Sequence, residues 1–309
     1  MKDGRTLRVF LALMLLVIVS ARAQVQVDIS FKRSLYMVYE PIMCTVTITN
    51  LSGRTLDLAD TRQEKWFSFQ IQTTTGTPLP PVNPDYQNQP VQMESGQRLV
   101  RTINLTPLYP LSEFGTYRVQ AAVFSAPIGK LFVSEKLNID ITEGRLLWQE
   151  TVGVPEGAGG GRSRTYSILA HRLPQTTMLY LRVEDKDAGV IYCTSQLGRF
   201  ITFSSPDVVV DTANHIHVLQ NAAPKNFLYS HFDVNGKLVK QQAYRVFKDR
   251  PFLVKQGNAV SVVGGVPYDP NAKAPEAQMP KMSDRPVPLP TPQGRPTPEE
   301  KRPENLLSR

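Results

Sequence analysis

Asp211-Thr212-Ala213-Asn214-His215-Ile216-His217-Val218-Leu219-Gln220 holds two of the chain's four histidines, spaced two apart. Side chains at i and i+2 of a strand share a face, so neutral His215 and His217 can both reach one metal ion. Asp211 or His231 would then supply a third ligand. The same stretch also reads as an ordinary strand. Farther along, Asn258-Ala259-Val260-Ser261-Val262-Val263 repeats its Asn turn and apolar alternation, with Ala259 and Ser261 at the histidine positions. The pattern therefore needs no metal to be a strand, and the chemical reading rests on His215, His217 and Asp211 alone.

Other motifs carry less chemistry. Glu184-Asp185-Lys186-Asp187-Ala188-Gly189 gathers carboxylates as a calcium loop begins, but it lacks the third acidic position and the later bidentate Glu, so it reads as a turn. Gly157-Ala158-Gly159-Gly160-Gly161 lacks the Gly-Lys-Ser/Thr ending of a phosphate cradle. There is no Gly-x-Ser-x-Gly, no His-Glu-x-x-His and no Cys close to a His, so no catalytic residue is assigned and no cofactor is expected. Cys44 and Cys193 are too few and too distant for a disulfide scaffold, and a bond between them is an open alternative to two free thiols. Asn50-Leu51-Ser52 and Asn104-Leu105-Thr106 are glycosylation acceptors only in a eukaryotic host.

The elements that would position these groups follow from patterning. Lys2, Arg5 and Arg8 precede an apolar run from Val9 to Val19 that ends in Ser20-Ala21-Arg22-Ala23. This is the pattern of a cleaved secretory leader, residues 1–23, too short to span a bilayer. No later segment is apolar enough to span either, so the mature chain is expected to be periplasmic or extracellular. The formal charge of +8 falls to about +5 once Lys2, Arg5, Arg8, Arg22 and Asp3 leave. Such a surplus on an exported chain suits an anionic glycan or an envelope protein better than nucleic acid.

From Gln24 to Ile141 apolar residues alternate with polar ones, as in Ile42-x-Cys44-x-Val46-x-Ile48 and Tyr117-x-Val119-x-Ala121. About seven short strands separated by turn residues predict a β-sandwich over 24–142. Only the segment from Gly76 to Gly96 breaks the pattern, and it reads as a long surface loop. Glu40-Pro41-Ile42, Thr47-Ile48-Thr49-Asn50 and Leu111-x-x-x-Gly115-x-Tyr117-x-Val119-x-Ala121 resemble bacterial secreted immunoglobulin-like domains and the bacterial proteinase-inhibitor family of the same fold. The resemblance implies a tyrosine corner at Tyr117. It also puts Val119 where antibody-type domains hold the cysteine that would partner Cys44.

Residues 143–266 are also β-rich and repeat internally. Leu179–Val183, Val190-Ile191, Val208–Val210 and Ile216–Leu219 align with Leu228–Phe232, Lys237-Leu238, Phe252–Val254 and Val260–Val263. The offset of about 44 to 49 residues resembles four-stranded β-propeller blades. Two blades cannot close a ring, so two packed antiparallel sheets are expected. From 267 to 309 proline recurs every few residues with little to bury, which predicts a disordered, partly polyproline tail.

The fold class expected is therefore all-β: an immunoglobulin-like sandwich, a second antiparallel domain built from two blade-like repeats, and a tail. The function expected is a non-catalytic interaction or scaffold protein of the bacterial envelope. Two alternatives stand beside it: a proteinase inhibitor acting through the 76–96 loop, and a metal-dependent or carbohydrate-active enzyme using the His215 and His217 face. N-terminal sequencing of the protein recovered from a bacterial envelope fraction is expected to begin at Gln24; a chain still starting at Met1 would make the leader an anchor.

Overall fold

Side-chain alternation sets the first half of the computed structural model, which describes residues 24–154 and 163–270. The leader, the Gly157–Gly161 loop and the tail from 271 onward lie outside the described residues. The strands of this half are β1 (Val25–Phe31), β2 (Leu35–Met37), β3 (Met43–Asn50), β4 (Leu56–Leu58), β5 (Phe67–Thr73), β6 (Pro78–Leu79), β7 (Val91–Met93), β8 (Arg98–Asn104), β9 (Gly115–Ser125), β10 (Lys130–Val133) and β11 (Leu137–Thr142). One sheet runs β1-β3-β8 and the other β2-β11-β9-β5-β6, with β10 also on β9. Between them Cys44, Val46 and Ile48 of β3 share a core with Val119, Ala121 and Val123 of β9 and with the buried Trp66. Of the pairings, β2 with β11 is parallel.

More strands form here than the expected seven because short apolar pieces find partners. The 76–96 segment is not one free loop: Pro78–Leu79 pairs with β5 and Val91–Met93 pairs with β4. Met93 is the reason for the second pairing, since it is 1% exposed and belongs to the core.

The second half comprises β12 (Arg145–Gly153), β13 (Ser163–Arg172), β14 (Thr177–Asp185), β15 (Val190–Arg199), β16 (Asp207–Val210), β17 (Ile216–Ala223), β18 (Asn226–Phe232), β19 (Leu238–Arg245), β20 (Phe252–Gln256), β21 (Ala259–Val263) and β22 (Val266–Tyr268). Among the described residues every regular element is a strand, and no helix is long and apolar enough to cross a membrane. One antiparallel sheet has the order β12-β13-β14-β15, the next β16-β17-β18-β19-β22, and β20-β21 is a separate hairpin. The four strands of the first repeat copy thus fall in two sheets, β14-β15 and β16-β17. The hairpin β18-β19 of the second copy joins β16-β17. Burial explains the split: Ile216 and Val218 of β17 cover Leu179, Leu181 and Val183 of β14 from across the core.

The two central strands of the β12–β15 sheet are covered on both faces. Residues 164 to 171 of β13 are all buried, as are 179 to 183 of β14. One set, Tyr166, Ile168, Leu179 and Leu181, faces the second sheet. The alternate set meets the first half of the chain: Leu169 and Tyr180 pack on Met37, and His171 Nε2 lies 2.8 Å from Thr142 Oγ1. Arg182 donates to Val38 O at 3.2 Å and lies over the Tyr39 ring, while Arg33 donates to Tyr180 OH at 3.1 Å and pairs with the buried Glu40. The described residues up to Tyr268 accordingly form one compact unit with two main cores and two smaller apolar clusters.

Close packing between the sheets is sharpest at Gly236, in the β18-β19 turn with φ of 81°. A Cβ there would overlap Cys193 Sγ and come to 2.8 Å from Val183 Cγ2. Gly236→Ala is therefore expected to lower unfolding stability by about 2–4 kcal/mol, from combined overpacking and left-handed strain. Urea denaturation of the mature protein measures it; an unchanged midpoint would show the turn to be free to move away.

Candidate functional site

The chain gathers its imidazoles through one turn and one strand register. β16 ends at Val210, and Asp211 caps the turn into β17: its Oδ1 accepts the N–H groups of Ala213 at 2.9 Å and of His215 at 2.8 Å. Asn214 takes a left-handed φ of 60°, a conformation Asn tolerates, and its amide donates to Gly153 O at 2.8 Å. With Oδ1 engaged, Oδ2 is turned to the rings, 3.2 Å from His217 Nε2 and 3.6 Å from His215 Nδ1. His217 alternates with Ile216 and Val218, which enter the core, and so lies on the opposite sheet face. There it pairs directly across from His231 of β18, and the two rings stack with centroids 4.3 Å apart.

The third and fourth histidine contacts close the cluster. His231 Nε2 is 3.3 Å from His215 Nδ1, and His217 Nδ1 is 2.8 Å from Tyr229 OH. Asp211, His217 and His231 each offer a ligand atom, and these atoms lie within 4.8 Å of one another. Sequence reasoning placed His215, His217 and Asp211 at the site and held His231 as a third ligand; folding brings all four together.

Burial lowers the His217 pKa, opposed by the Asp211 carboxylate. Burial also lowers that of His231, and the neighbouring His217 and His215 rings add to the effect. For Asp211 burial pushes the carboxyl up, but the N–H groups of His215 and Ala213 and the His217 ring outweigh it and hold it below the ordinary value. Burial raises the Tyr229 phenol to about 12. At neutral pH the site thus sets a carboxylate against the neutral imidazoles of His217 and His231, with a protonated phenol behind. Such a set can pass a hydrogen bond from Tyr229 through His217 to Asp211, or give nitrogen and oxygen lone pairs to a cation.

The remaining sequence candidates resolve differently. Asp185 does not point out toward a cation: its carboxylate is buried against Arg164 at 3.5 Å and caps the turn through Ala188 N–H at 2.9 Å. Cys44 and Cys193 are free thiols, one in the core of the first half and the other packed against that of the second, so the bond between them does not form. Burial raises the Cys44 thiol to about 12, which keeps it unreactive. The Asn50 side chain is fully buried and donates to Arg54 O, Met93 O and Glu94 O, so it presents nothing to a glycosyltransferase. Within the 76–96 segment Tyr86 OH donates to Phe67 O at 3.1 Å, and Asn88 donates to Asp60 Oδ1 at 2.9 Å. Those bonds hold the segment against the neighbouring strands of the first half.

Sequence reasoning missed a groove between the two halves of the unit, with a volume of about 510 Å³. Lys32, Arg33 and Glu40 border it on one side and Thr194, Ser195 and Gln196 on the other. The last three lie on β15, which pairs with β14 alone among the described strands and leaves its outer edge open. No spacing signal joins residues 32–40 to 194–196, because only docking of the two halves brings them together.

No family model matches the chain, and no curated protein matches it. A solved structure similar to it is the crystal structure of Spo0M, sporulation control protein, from Bacillus subtilis, at 10% identity and a TM-score of 0.26, covering 55% of this chain and 83% of that one. A likeness of that degree carries no argument about function.

The depressed imidazoles carry a pH signature. In the unfolded chain His protonates near 6.5, while folded His217 and His231 resist it. The unfolded state then binds more protons below that value, so stability is full above about pH 6.5 and declines as pH falls toward the folded values. Urea midpoints of chelator-treated protein are expected to drop between pH 7.5 and pH 5.5, and by less in His217→Gln. An equal drop in the variant would place the sensitivity elsewhere.

Proposed function

We propose that the chain is an exported, non-catalytic interaction protein of the bacterial envelope that takes an extended segment of a partner protein into the groove between its two halves. The observation that carries the reading is the open edge of β15 along that groove. An unpaired strand edge offers backbone donors and acceptors to an added strand, and side pockets then select the sequence. Thr194, Ser195 and Gln196 supply that edge. Lys32 and Gln241 add a cation and an amide, and Phe232 and Leu238 add apolar surface. This mixture suits a polar peptide with apolar anchors. The groove's walls are held by buried contacts from Arg33 and Arg182, so a partner meets a preformed shape and little ordering cost is added on binding.

The architecture we read into this function is an immunoglobulin-like sandwich followed by a blade-derived one. Supporting the first is a split opening strand: β1 pairs antiparallel with β3, whereas β2 runs parallel to β11. Tyr117 OH donates to Glu113 O at 2.9 Å, the bond of a tyrosine corner, and Trp66 is buried beside β5. Supporting the second are two successive four-stranded meanders, β12–β15 and β16–β19, each with the up-and-down order of a propeller blade. The cleavable leader supports export.

Photocrosslinking in the native envelope tests the reading. A crosslinking residue at Gln196 or Gln241 is expected to trap one protein adduct, and the same residue at the distant exposed Gln63 to trap none. Equal trapping at all three positions, or none at the groove, would sink the proposal. An adduct that resists protease but yields to glycan-cleaving enzymes would make the ligand a surface glycan.

A further inference from the structure

We propose that Asp211, His217 and His231 bind one first-row divalent cation of the zinc class, with His215 closing the fourth position. The donor atoms of Asp211, His217 and His231 already lie within 4.8 Å of one another, and small rotations of the stacked His217 and His231 rings would turn their lone pairs onto one ion. Zinc holds imidazole nitrogen and carboxylate oxygen at about 2.0–2.2 Å, so tetrahedral donors sit roughly 3.3–3.6 Å apart. The separations here are 3.2 Å from His217 Nε2 to Asp211 Oδ2, 3.3 Å from His231 Nε2 to His215 Nδ1, and 3.6 Å from His215 Nδ1 to Asp211 Oδ2. Imidazole donors select zinc and its neighbours over calcium or magnesium, which take oxygen.

Each donor is also held from behind. The turn N–H groups fix Asp211 Oδ1 and leave Oδ2 for the ion, and Tyr229 OH touches the far nitrogen of His217. When the ion binds, His217 Nε2 gives up its lone pair and the ring proton resides on Nδ1, which donates to the Tyr229 oxygen. The phenol hydrogen turns away; the proton lost from Nε2 to solvent is matched by one taken up at Nδ1, so His217 stays neutral. Such a bond to the outer nitrogen orients a ligating imidazole and raises its basicity. His215, with a side chain 35% exposed, gives the ion a way in from solvent.

The strand itself does not require these rings. β21 builds the corresponding positions from Ala259 and Ser261 and still pairs in register with β20. A strand that needs only alternation leaves three clustered imidazoles unexplained by folding, and a cation explains them together with the Asp211 oxygen turned toward them.

Titration calorimetry of the chelator-stripped mature protein with zinc chloride is expected to show one equivalent bound with Kd of about 1 μM or tighter. His217→Ala and Asp211→Asn should each weaken binding by roughly 100-fold, and Tyr229→Phe, which touches no ligand atom, by about 10-fold. Cobalt chloride added to the wild-type protein should give the intense visible bands of four-coordinate nitrogen and oxygen ligation. No saturable uptake by wild type up to about 100 μM zinc, well above the Kd expected here, would overturn the site. So would uptake unchanged in His217→Ala, or only the weak spectrum of hydrated cobalt. Should His217→Ala fail to fold by circular dichroism, His215→Ala at the exposed rim and the wild-type cobalt spectrum decide the matter.

Discussion

Everything in this protein depends on a four-stranded sheet whose two central strands have no free face. β13 and β14 bury one set of side chains against the β16–β22 sheet and the alternate set against the turn at residues 37–40. Polar groups on the second face must be satisfied, since a buried guanidinium or phenol without a partner is costly. Arg182 finds Val38 O and the Tyr39 ring, Tyr180 finds Arg33, and Glu40 is held by Arg33 and by Met37 N–H at 2.6 Å. Tyr39 adopts a left-handed φ of 67°, an unfavourable conformation for a side-chain-bearing residue, to deliver these groups. The docking of the halves thus compensates local strain with buried hydrogen bonds.

That docking creates the groove and leaves the imidazole cluster on a separate surface of the same scaffold. The groove forms where β15, the last strand of the covered sheet, runs out beside Lys32 and Arg33. The cluster forms on the outer face of β17 and β18, whose inner face completes the second core. Each β-strand therefore serves two tasks by its alternation: Ile216 and Val218 stabilise, and His217 between them is free for chemistry. The outer face adds a smaller cluster of its own, in which Leu219, Phe227 and Tyr229 pack beside the imidazoles.

Much of the fold was legible in single strands and little in their assembly. Cys44, Val46 and Ile48, like Val119, Ala121 and Val123, are spaced for one buried face, and the structure buries them. The turn at Asn258 was legible too, and the structure sets it between β20 and β21. The chain's crossing between β15 and β16 was not, because which sheet a hairpin joins depends on the apolar face waiting for it. The 76–96 segment looked like loop because it is rich in proline, glutamine and asparagine; its scattered apolar residues Leu79, Val91 and Met93 reach the core through long-range contact and make parts of it strand.

At the site the division is sharper. Sequence spacing alone put His215 and His217 on one strand face and Asp211 at its turn, because the two-residue period of a strand is a property of the backbone. It could not say that His231 would stand across from His217, since register is set by the turn at Ala223–Asn226 and by the core beneath. Nor could it reveal that Tyr229 stands behind His217, or that Arg33 and Ser195 border one groove. Local chemistry and alternation were written in the order of residues. Convergence required the sheets to pack, because burial joins segments that the chain keeps far apart.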